Sequence, residues 1–320
     1  DKIAFCNTGT EAIMTAIRLA RLKSNKQKIA MFSGAYHGFY DATLGISINA
    51  DIANIHPLTE GLPDKIFQDL LILEYNREED ISKLKQYVND LACIIIEPVR
   101  GRFPGIQSKT FLELVRTFAD KNNIILIFDE VVTGFRSHPG GAQAYFGVNA
   151  DLVVYGKSLA AGLPIGVVGG KADIMSGIDG GNWNYRDLSY PRESTTFFAG
   201  TFNKNPLTIS AAYAFLNEIK KRGENLQLQL SNKTQYIVEK LNEYFEEEKV
   251  SITVSRFSSL FRFDIKDNAD IFYYHLIYNN LYVWEGRSFY ISEAHTEEDL
   301  NCIIDSVKKS TEILKLNKLI

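Results

Sequence analysis

Two short apolar runs, Ile124–Phe128 and Leu152–Tyr155, constrain the fold of this chain more than any other feature. Each is rich in Ile, Val and aromatic residues and is bounded by turn signals, the pattern of strands buried on both faces of a parallel sheet. Each also ends in an ionisable group. The first runs into Asp129 and Glu130, the second into Gly156 and Lys157. An acid and an amine are therefore expected at the carboxyl edge of one open sheet, which is where α/β sheets bind ligands.

A cofactor that uses an acid and a lysine in such a place is pyridoxal phosphate. The lysine forms a Schiff base with the aldehyde, and the acid pairs with the pyridinium nitrogen and keeps it protonated. Either residue alone reads as structural, because acids after buried strands commonly cap helices and a lysine after Gly commonly sits in a solvated turn. Gly156-Lys157-Ser158 imitates the end of a phosphate-binding P-loop, but that motif needs a Gly five residues before Gly156, where Asp151 stands. The nucleotide reading fails on that residue.

At 320 residues the chain can bury a sizeable core and is expected to form one large lobe and a smaller one. A net charge of -4 gives no reason to expect nucleic acid or an anionic membrane as partner. Cys6, Cys93 and Cys302 are odd in number and widely spaced, which argues against a disulfide framework or a cysteine metal site and fits a reducing cytoplasm. The histidines show no ligand spacing, and the longest apolar runs are too short to cross a bilayer. The first residue is Asp1 rather than Met, and a binding loop follows almost at once, so a piece of a longer chain lacking an N-terminal segment is expected.

Along the chain, Ile3–Cys6 reads as a strand and Asn7-Thr8-Gly9-Thr10-Glu11-Ala12 as its turn into a helix whose apolar face is Ile13, Ala16, Ile17 and Ala20. Gly9 allows close backbone approach and Thr10 offers a hydroxyl at a helix N-terminus, a corner that binds phosphate; it equally reads as a cap. The run Ile29–Phe32 breaks at Ser33-Gly34-Ala35-Tyr36-His37-Gly38, where Tyr36 could stack on a flat ring or simply plug its own loop. Leu70–Leu73 and Cys93–Ile96 read as strands, Glu79–Asn89 and Lys109–Lys121 as helices. Glu97 ends the Cys93 strand and is expected to reach the same pocket floor as Asp129. Arg100 and Arg102 are either substrate-facing cations or part of an exposed loop. Asp173 to Pro191 reads as a Gly- and aromatic-rich wall or lid. After helix Leu207–Ile219 and a charged helical stretch from Asn225 to Glu248, strands near Ile252–Val254, Leu260–Asp264, Tyr282–Trp284 and Phe289–Ile291 and a helix near Glu297–Leu316 read as a compact α+β lobe. The division expected is 1–215 for the large domain and 216–320 for the connecting helix and small domain.

Taken together these residues resemble the class III aminotransferases that bind pyridoxal 5′-phosphate. The family's signatures occur in order: Asn7-Thr8-Gly9-Thr10-Glu11-Ala12, Tyr36-His37-Gly38, Glu97-Pro98-Val99, Phe128-Asp129-Glu130-Val131 with Thr133-Gly134-Phe135-Arg136, Gly156-Lys157, and Gly200-Thr201 before Asn205-Pro206. The resemblance implies a fold-type I α/β transferase with a mostly parallel central sheet. It implies that Gly9 and Thr10 hold the phosphate, Tyr36 stacks on the ring, Asp129 pairs with the ring nitrogen, Val131 packs on the opposite face and Lys157 carries the Schiff base. It also implies a homodimer with shared active sites, because the Thr matching Thr201 reaches the phosphate bound by the neighbouring subunit.

Two branches of the family look most alike here. Gly140-Gly141-Ala142-Gln143 with Tyr145-Phe146-Gly147 resembles glutamate-1-semialdehyde aminomutase. His138-Pro139-Gly140, the Asp179–Tyr185 loop with Ser189-Tyr190-Pro191, and Trp284-Glu285-Gly286-Arg287 resemble more closely the aminotransferase domain embedded in hybrid polyketide and nonribosomal peptide synthases. Arg287 either grips the carboxylate of an amino-acid donor or makes a salt bridge inside the small lobe. The expected reaction moves an amino group from glutamate or glutamine to a ketone, a β-ketoacyl thioester on an acyl carrier protein. The alternatives are a free-standing aminomutase or ω-aminotransferase acting on a small metabolite, and a binding module without catalysis, which the presence of both Asp129 and Lys157 disfavours.

Overall fold

The computed structural model describes residues 1–266 and 269–320. The chain divides into two compact units, one made of Asp1–Pro98, Ser108–Phe135 and Gly140–Lys221, the other of Val99–Gln107, Arg136–Pro139 and Arg222–Ile320.

In the first unit the strands are β1 (Lys2–Cys6), β2 (Lys28–Phe32), β3 (Gly45–Ser47), β4 (Ile55–Pro57), β5 (Leu70–Leu73), β6 (Leu91–Ile96), β7 (Ile125–Asp129), β8 (Leu152–Gly156) and β9 (Gly166–Gly170). Its helices are α1 (Gly9–Ser24), α2 (Glu78–Lys83), α3 (Lys109–Lys121), α4 (Gly141–Phe146), α5 (Ala172–Asp179) and α6 (Pro206–Arg222). A seven-stranded sheet runs in the order β1-β9-β8-β7-β6-β2-β5, and β3 and β4 pair as a separate hairpin. From β8 to β5 every pairing is parallel, whereas β9 is antiparallel to both β8 and β1. β1 therefore points the same way as β8. The carboxyl ends of β1, β2, β6, β7 and β8 share one edge, with the segments beginning at Asn7, Ser33, Glu97, Glu130 and Lys157 lying along it.

The sheet forms because its strands are apolar on both faces. Every residue of β6 and β7 is buried. On one face Cys93, Ile95, Ile125, Ile127 and Val154 join the core that contains Ile13 and Ile17 of α1. On the other, Phe32 meets Tyr75 and Phe111 edge-on at 5.7 and 5.6 Å. Burying Ile13, Ile17 and Leu19 is worth roughly 1.5–3 kcal/mol each, against about 1 kcal/mol for the Thr8 cap that accepts from Glu11 N. Packing holds α1 in place; the cap sets where it starts.

Several elements differ from the sequence reading. β9 was not anticipated, since Gly166, Gly169 and Gly170 weaken any strand signal. The helix expected over Glu79–Asn89 ends at Lys83 and tightens into a 3-10 turn over Leu84–Tyr87, as helix ends often do. The first part of the Asp173–Pro191 segment is helical, because α5 buries Ile174 and Met175 before Gly180 closes it at φ 77°. The 215/216 division falls inside α6, and the units part after Lys221.

The second unit contains α7 (Asn225–Glu247), β10 (Ile252–Phe257), β11 (Leu260–Ile265), α8 (Ala269–Tyr278), β12 (Phe289–Tyr290) and α9 (Glu297–Leu316). β10, β11 and β12 form an antiparallel sheet in that order. Leu241, Phe245, Phe263, Phe272, Leu276 and Val307 make its core. α9 starts at a capping box in which Thr296 and Asp299 each bond the other's backbone N–H. The strand expected over Tyr282–Trp284 is not there: Tyr282 is 98% exposed and Trp284 69%, and β12 alone pairs with the free edge of β11. α8 went unread because its aromatic and β-branched residues are apolar all round and carry no helical stripe. Among the described residues no helix is long and apolar enough to cross a membrane.

Candidate active site

Parallel pairing of β7 with β8 puts Asp129 at the end of one strand and Lys157 just past the end of its neighbour, with Asp129 in register with Val154. Asp129 is buried. Its Oδ1 accepts from Val131 N at 3.1 Å, and its Oδ2 lies 2.7 Å from His37 Nδ1. His37 is itself buried, and its Nε2 has no hydrogen-bond partner. Burial opposes a charge on His37, but the hydrogen bond and charge of Asp129, joined by the charge of Glu97, outweigh it and raise the imidazole above its ordinary value.

Glu97 is buried at the end of β6 and accepts from Tyr36 N at 2.9 Å. That bond fixes the loop after β2. Tyr36 points outward with half its surface exposed, so it does not plug the loop. Gly38, at φ 82°, closes the same loop against α1: a Cβ there would lie 2.3 Å from Thr10 Oγ1, so only glycine lets the two segments meet. In the first turn of α1, Glu11 N donates to Thr8 Oγ1 and Ala12 N to Thr8 O. The N–H groups of Gly9 and Thr10 are the other two of that turn.

Val131 lies between the turn after β1 and the end of β8. A Cβ on Gly9 would be 3.0 Å from its Cγ2, and one on Gly156 would be 3.5 Å from its Cγ1. Lys157 follows Gly156 with φ 45°, a left-handed backbone that costs a side-chain-bearing residue of order 1 kcal/mol. Such strain at the end of a buried strand is found where a side chain must be presented at one fixed point. Thr201 is exposed in a turn whose Asn203 Oδ1 accepts from Asn7 Nδ2 at 2.9 Å, which ties that segment to the turn after β1.

The structure thus brings together Gly9, Thr10, Tyr36, Glu97, Asp129, Val131 and Lys157 on one sheet edge. Arg287 belongs to the second unit, exposed, its guanidinium 5.0 Å over the Trp284 ring. Among the described residues no ion pair holds it, which removes the salt-bridge reading. Arg100 is buried and stacked 4.4 Å from Phe103, so it is not part of an ordinary exposed loop.

Sequence reasoning missed two partners. His37 stands inside the Tyr36-His37-Gly38 motif, but its contact with Asp129 spans 92 positions and depends on a strand order that periodicity does not encode. Glu130 was grouped with Asp129, yet the two part. Glu130 turns inward and accepts from Ala142 N at 2.5 Å, Gln143 N at 3.1 Å and Thr133 Oγ1 at 3.2 Å. It holds the start of α4 rather than facing a ligand.

Burial pushes the Glu130 carboxyl up to about 7 from 4.5, against the three donors and with the Asp129 charge adding to the rise. Between those values the folded chain holds more protons than the unfolded one, so this contribution is complete below pH 4.5 and is lost as pH rises through about 7. Glu130→Gln removes the titration. Urea unfolding at several pH values should show the difference from wild type moving in the variant's favour by about 3 kcal/mol between pH 4.5 and 8. Parallel profiles would show that Glu130 stays ionised throughout.

Residues 1–282 match the family described as Aminotransferase class-III. The chain belongs to that family. The class III aminotransferases are pyridoxal-phosphate enzymes, and the sheet order above is their transferase fold. The glutamate-1-semialdehyde 2,1-aminomutase of Wigglesworthia glossinidia brevipalpis is 34% identical over 337 residues, covering 98% of this chain and 74% of that protein. A solved transaminase with PLP bound is 27% identical with a TM-score of 0.86, over 99% of this chain and 74% of that one. An omega-transaminase from Sphaerobacter thermophilus is 26% identical with a TM-score of 0.84, over 98% of this chain and 74% of that one. As a class III member the chain is a pyridoxal-phosphate-dependent aminotransferase or aminomutase.

Proposed function

We propose that this chain transfers an amino group from an α-amino acid, glutamate or glutamine, to a ketone. The observation that carries the reading is the emergence of Asp129 and Lys157 from neighbouring parallel strands, Asp129 buried against His37 and Lys157 set in a strained backbone. The residues present fit pyridoxal phosphate: a helix N-terminus closed by a glycine contact, an exposed aromatic side chain, and a buried carboxylate with lone pairs to spare. When bound, the cofactor supplies an aldehyde for the donor amine and a ring that withdraws electrons from the donor's α carbon.

The chain's own residues then have distinct tasks. The first turn of α1, at Gly9 and Thr10, binds the phosphate, helped by the positive end of the helix dipole. Asp129 would pair with the cofactor's ring nitrogen, and the His37 contact orients that carboxyl group. Tyr36 and Val131 cover opposite faces of the ring, and Glu97 holds the Tyr36 loop. Lys157 would hold the cofactor through its aldehyde, and its Nζ, when free, would be the base placed to take the proton from the donor's α carbon. Arg287 is a candidate for the donor's carboxylate.

The acceptor we propose is a β-ketoacyl thioester presented by an acyl carrier protein. The support is the resemblance of His138-Pro139-Gly140 and Trp284-Glu285-Gly286-Arg287 to domains embedded in hybrid synthases. A glutamate-1-semialdehyde 2,1-aminomutase is the second reading, favoured by the 34% identity to an aminomutase. A homodimer is part of the proposal, with Thr201 serving the partner's site. Its support is the apolar surface of the first unit, where Tyr185 is 84%, Leu188 97%, Phe197 79% and Phe202 70% exposed.

The test is the visible absorbance of the purified, cofactor-loaded protein before and after glutamate, glutamine and glutamate-1-semialdehyde. Bleaching by one amino acid, followed by recovery on addition of a carrier-bound β-ketone, supports the first reading. Response to the semialdehyde alone moves the second ahead.

A further inference from the structure

The second unit holds a cation without a counter-ion. Arg136 is half-buried, and its Nε is buried without a hydrogen-bond partner. Among the described residues no carboxylate pairs with it. Burial lowers its pKa. Buried charges in native proteins are paired, so an uncompensated one calls for an explanation.

The surroundings are built rather than incidental. Ser258, in the left-handed turn between β10 and β11, donates its hydroxyl to Arg136 O at 2.6 Å and pins the Arg136 backbone. The guanidinium lies 4.2 Å over the ring of Tyr290. Tyr290 in turn is fixed by pairing with Leu260, and the next residue, Ile291, donates to Ser259 O at 2.9 Å. Two more polar atoms here are buried with no partner: Ser137 Oγ, next to Arg136 in the chain, and Ser259 Oγ, next to Ser258. Native structures leave few such atoms, and these three belong to Arg136, its chain neighbour and the neighbour of Ser258.

We infer that Arg136, Ser137 and Ser259 form a binding site for a carboxylate. All three side chains can donate, and an ionised carboxylate only accepts. Its two oxygens match the fork of a guanidinium and leave lone pairs for hydroxyls. A cation would be repelled, and a neutral amide would leave the charge uncompensated. The tyrosine ring against Arg136 fixes the plane of the fork. The ligand is a carboxylic acid that this unit holds with its own residues.

The experiment uses the cofactor-loaded protein and glutarate, which carries neither amine nor ketone, with glutaramide and inorganic phosphate as controls. Calorimetric titration should show glutarate binding to wild type and glutaramide failing to bind. Arg136→Gln should weaken glutarate at least tenfold, Arg136→Lys by less, and Ser259→Ala severalfold with the charge unchanged. Unaltered circular dichroism and cofactor absorbance establish that the variants are folded and loaded. Equal glutarate affinity in wild type and Arg136→Gln, no glutarate binding to wild type, or tighter binding of phosphate than of glutarate each overturns the inference. Should amino transfer itself be absent, the titration still decides the site, so the two failures are distinguishable.

Discussion

Lys157→Ala is expected to abolish amino transfer, lowering turnover by at least about 10⁴-fold, while leaving the fold in place. The size follows from the two tasks assigned to one amine. A positioned acid–base is worth roughly 10²–10⁴-fold by itself, and loss of the covalent link to the cofactor comes on top. The fold should survive because Lys157 is exposed and contributes little burial, and alanine meets the same left-handed backbone at φ 45°. Thermal unfolding of the cofactor-free variant should fall within about 0.5 kcal/mol of wild type, the range for surface changes. Its visible absorbance should lack the band of lysine-linked cofactor, and added primary amines should restore part of the turnover. A variant that turns over at the wild-type rate without added amine would remove Lys157 from the mechanism, and the reading of the whole sheet edge with it.

His37→Ala carries the second largest effect, on stability and cofactor affinity together. The imidazole lies 2.7 Å from Asp129 Oδ2 with both groups buried, and removing one member of such a pair strands the other, at about 3–5 kcal/mol. Urea unfolding should register that loss, and titration with pyridoxal phosphate should show weaker binding, since among the described residues Asp129 then keeps only the Val131 N donor. His37→Asn separates geometry from charge, because its amide nitrogen can replace Nδ1 as donor without carrying a positive charge. Partial recovery of affinity by Asn is expected.

The same pair predicts a pH dependence. His37 is raised above 6.5 in the folded chain, so its contribution is complete below pH 6.5 and is lost as pH rises through the higher folded value. Asp151 works in the opposite sense. Burial would raise it, but Lys171, the N–H of Leu126 and Arg116 hold it below 3.8, and its contribution is lost as pH falls through that lowered value. Wild-type stability should therefore decline on both sides of mildly acidic pH. The alkaline decline should be shallower in His37→Asn, and an unchanged slope would mean that His37 does not titrate in the folded chain.

Much of the site was legible because its information is local. A buried strand announces itself by an unbroken apolar run, and the residue that ends the run must face the sheet edge, so Asp129, Lys157 and Glu97 could be placed from a few neighbours each. The turn at Gly9 and Thr10 was readable for the same reason: a strand, a glycine, a hydroxyl and a helical stripe stand in one short segment. Tyr36 was ambiguous from sequence because a ring in a glycine-flanked loop can turn either way; its exposure shows that it turns outward.

What could not be read depends on contacts between distant segments. The antiparallel insertion of β9 between β1 and β8 carries the turn after β1 to the edge where Lys157 stands, yet a glycine-rich strand has almost no pattern of its own. The separation of Asp129 from its neighbour Glu130 follows from where donors lie: His37 in the loop after β2 for one, the start of α4 for the other. Arg136 reads as one more residue of a family motif until the turn at Ser258 and the ring of Tyr290 enclose it. Periodicity and chain-end chemistry are properties of consecutive residues and so are written in the primary structure. Pairing partners, burial of charge and unsatisfied donors arise when separate segments meet, as His37 and Asp129 do across 92 positions and Arg136 and Ser258 across 122, and only folding brings them into being.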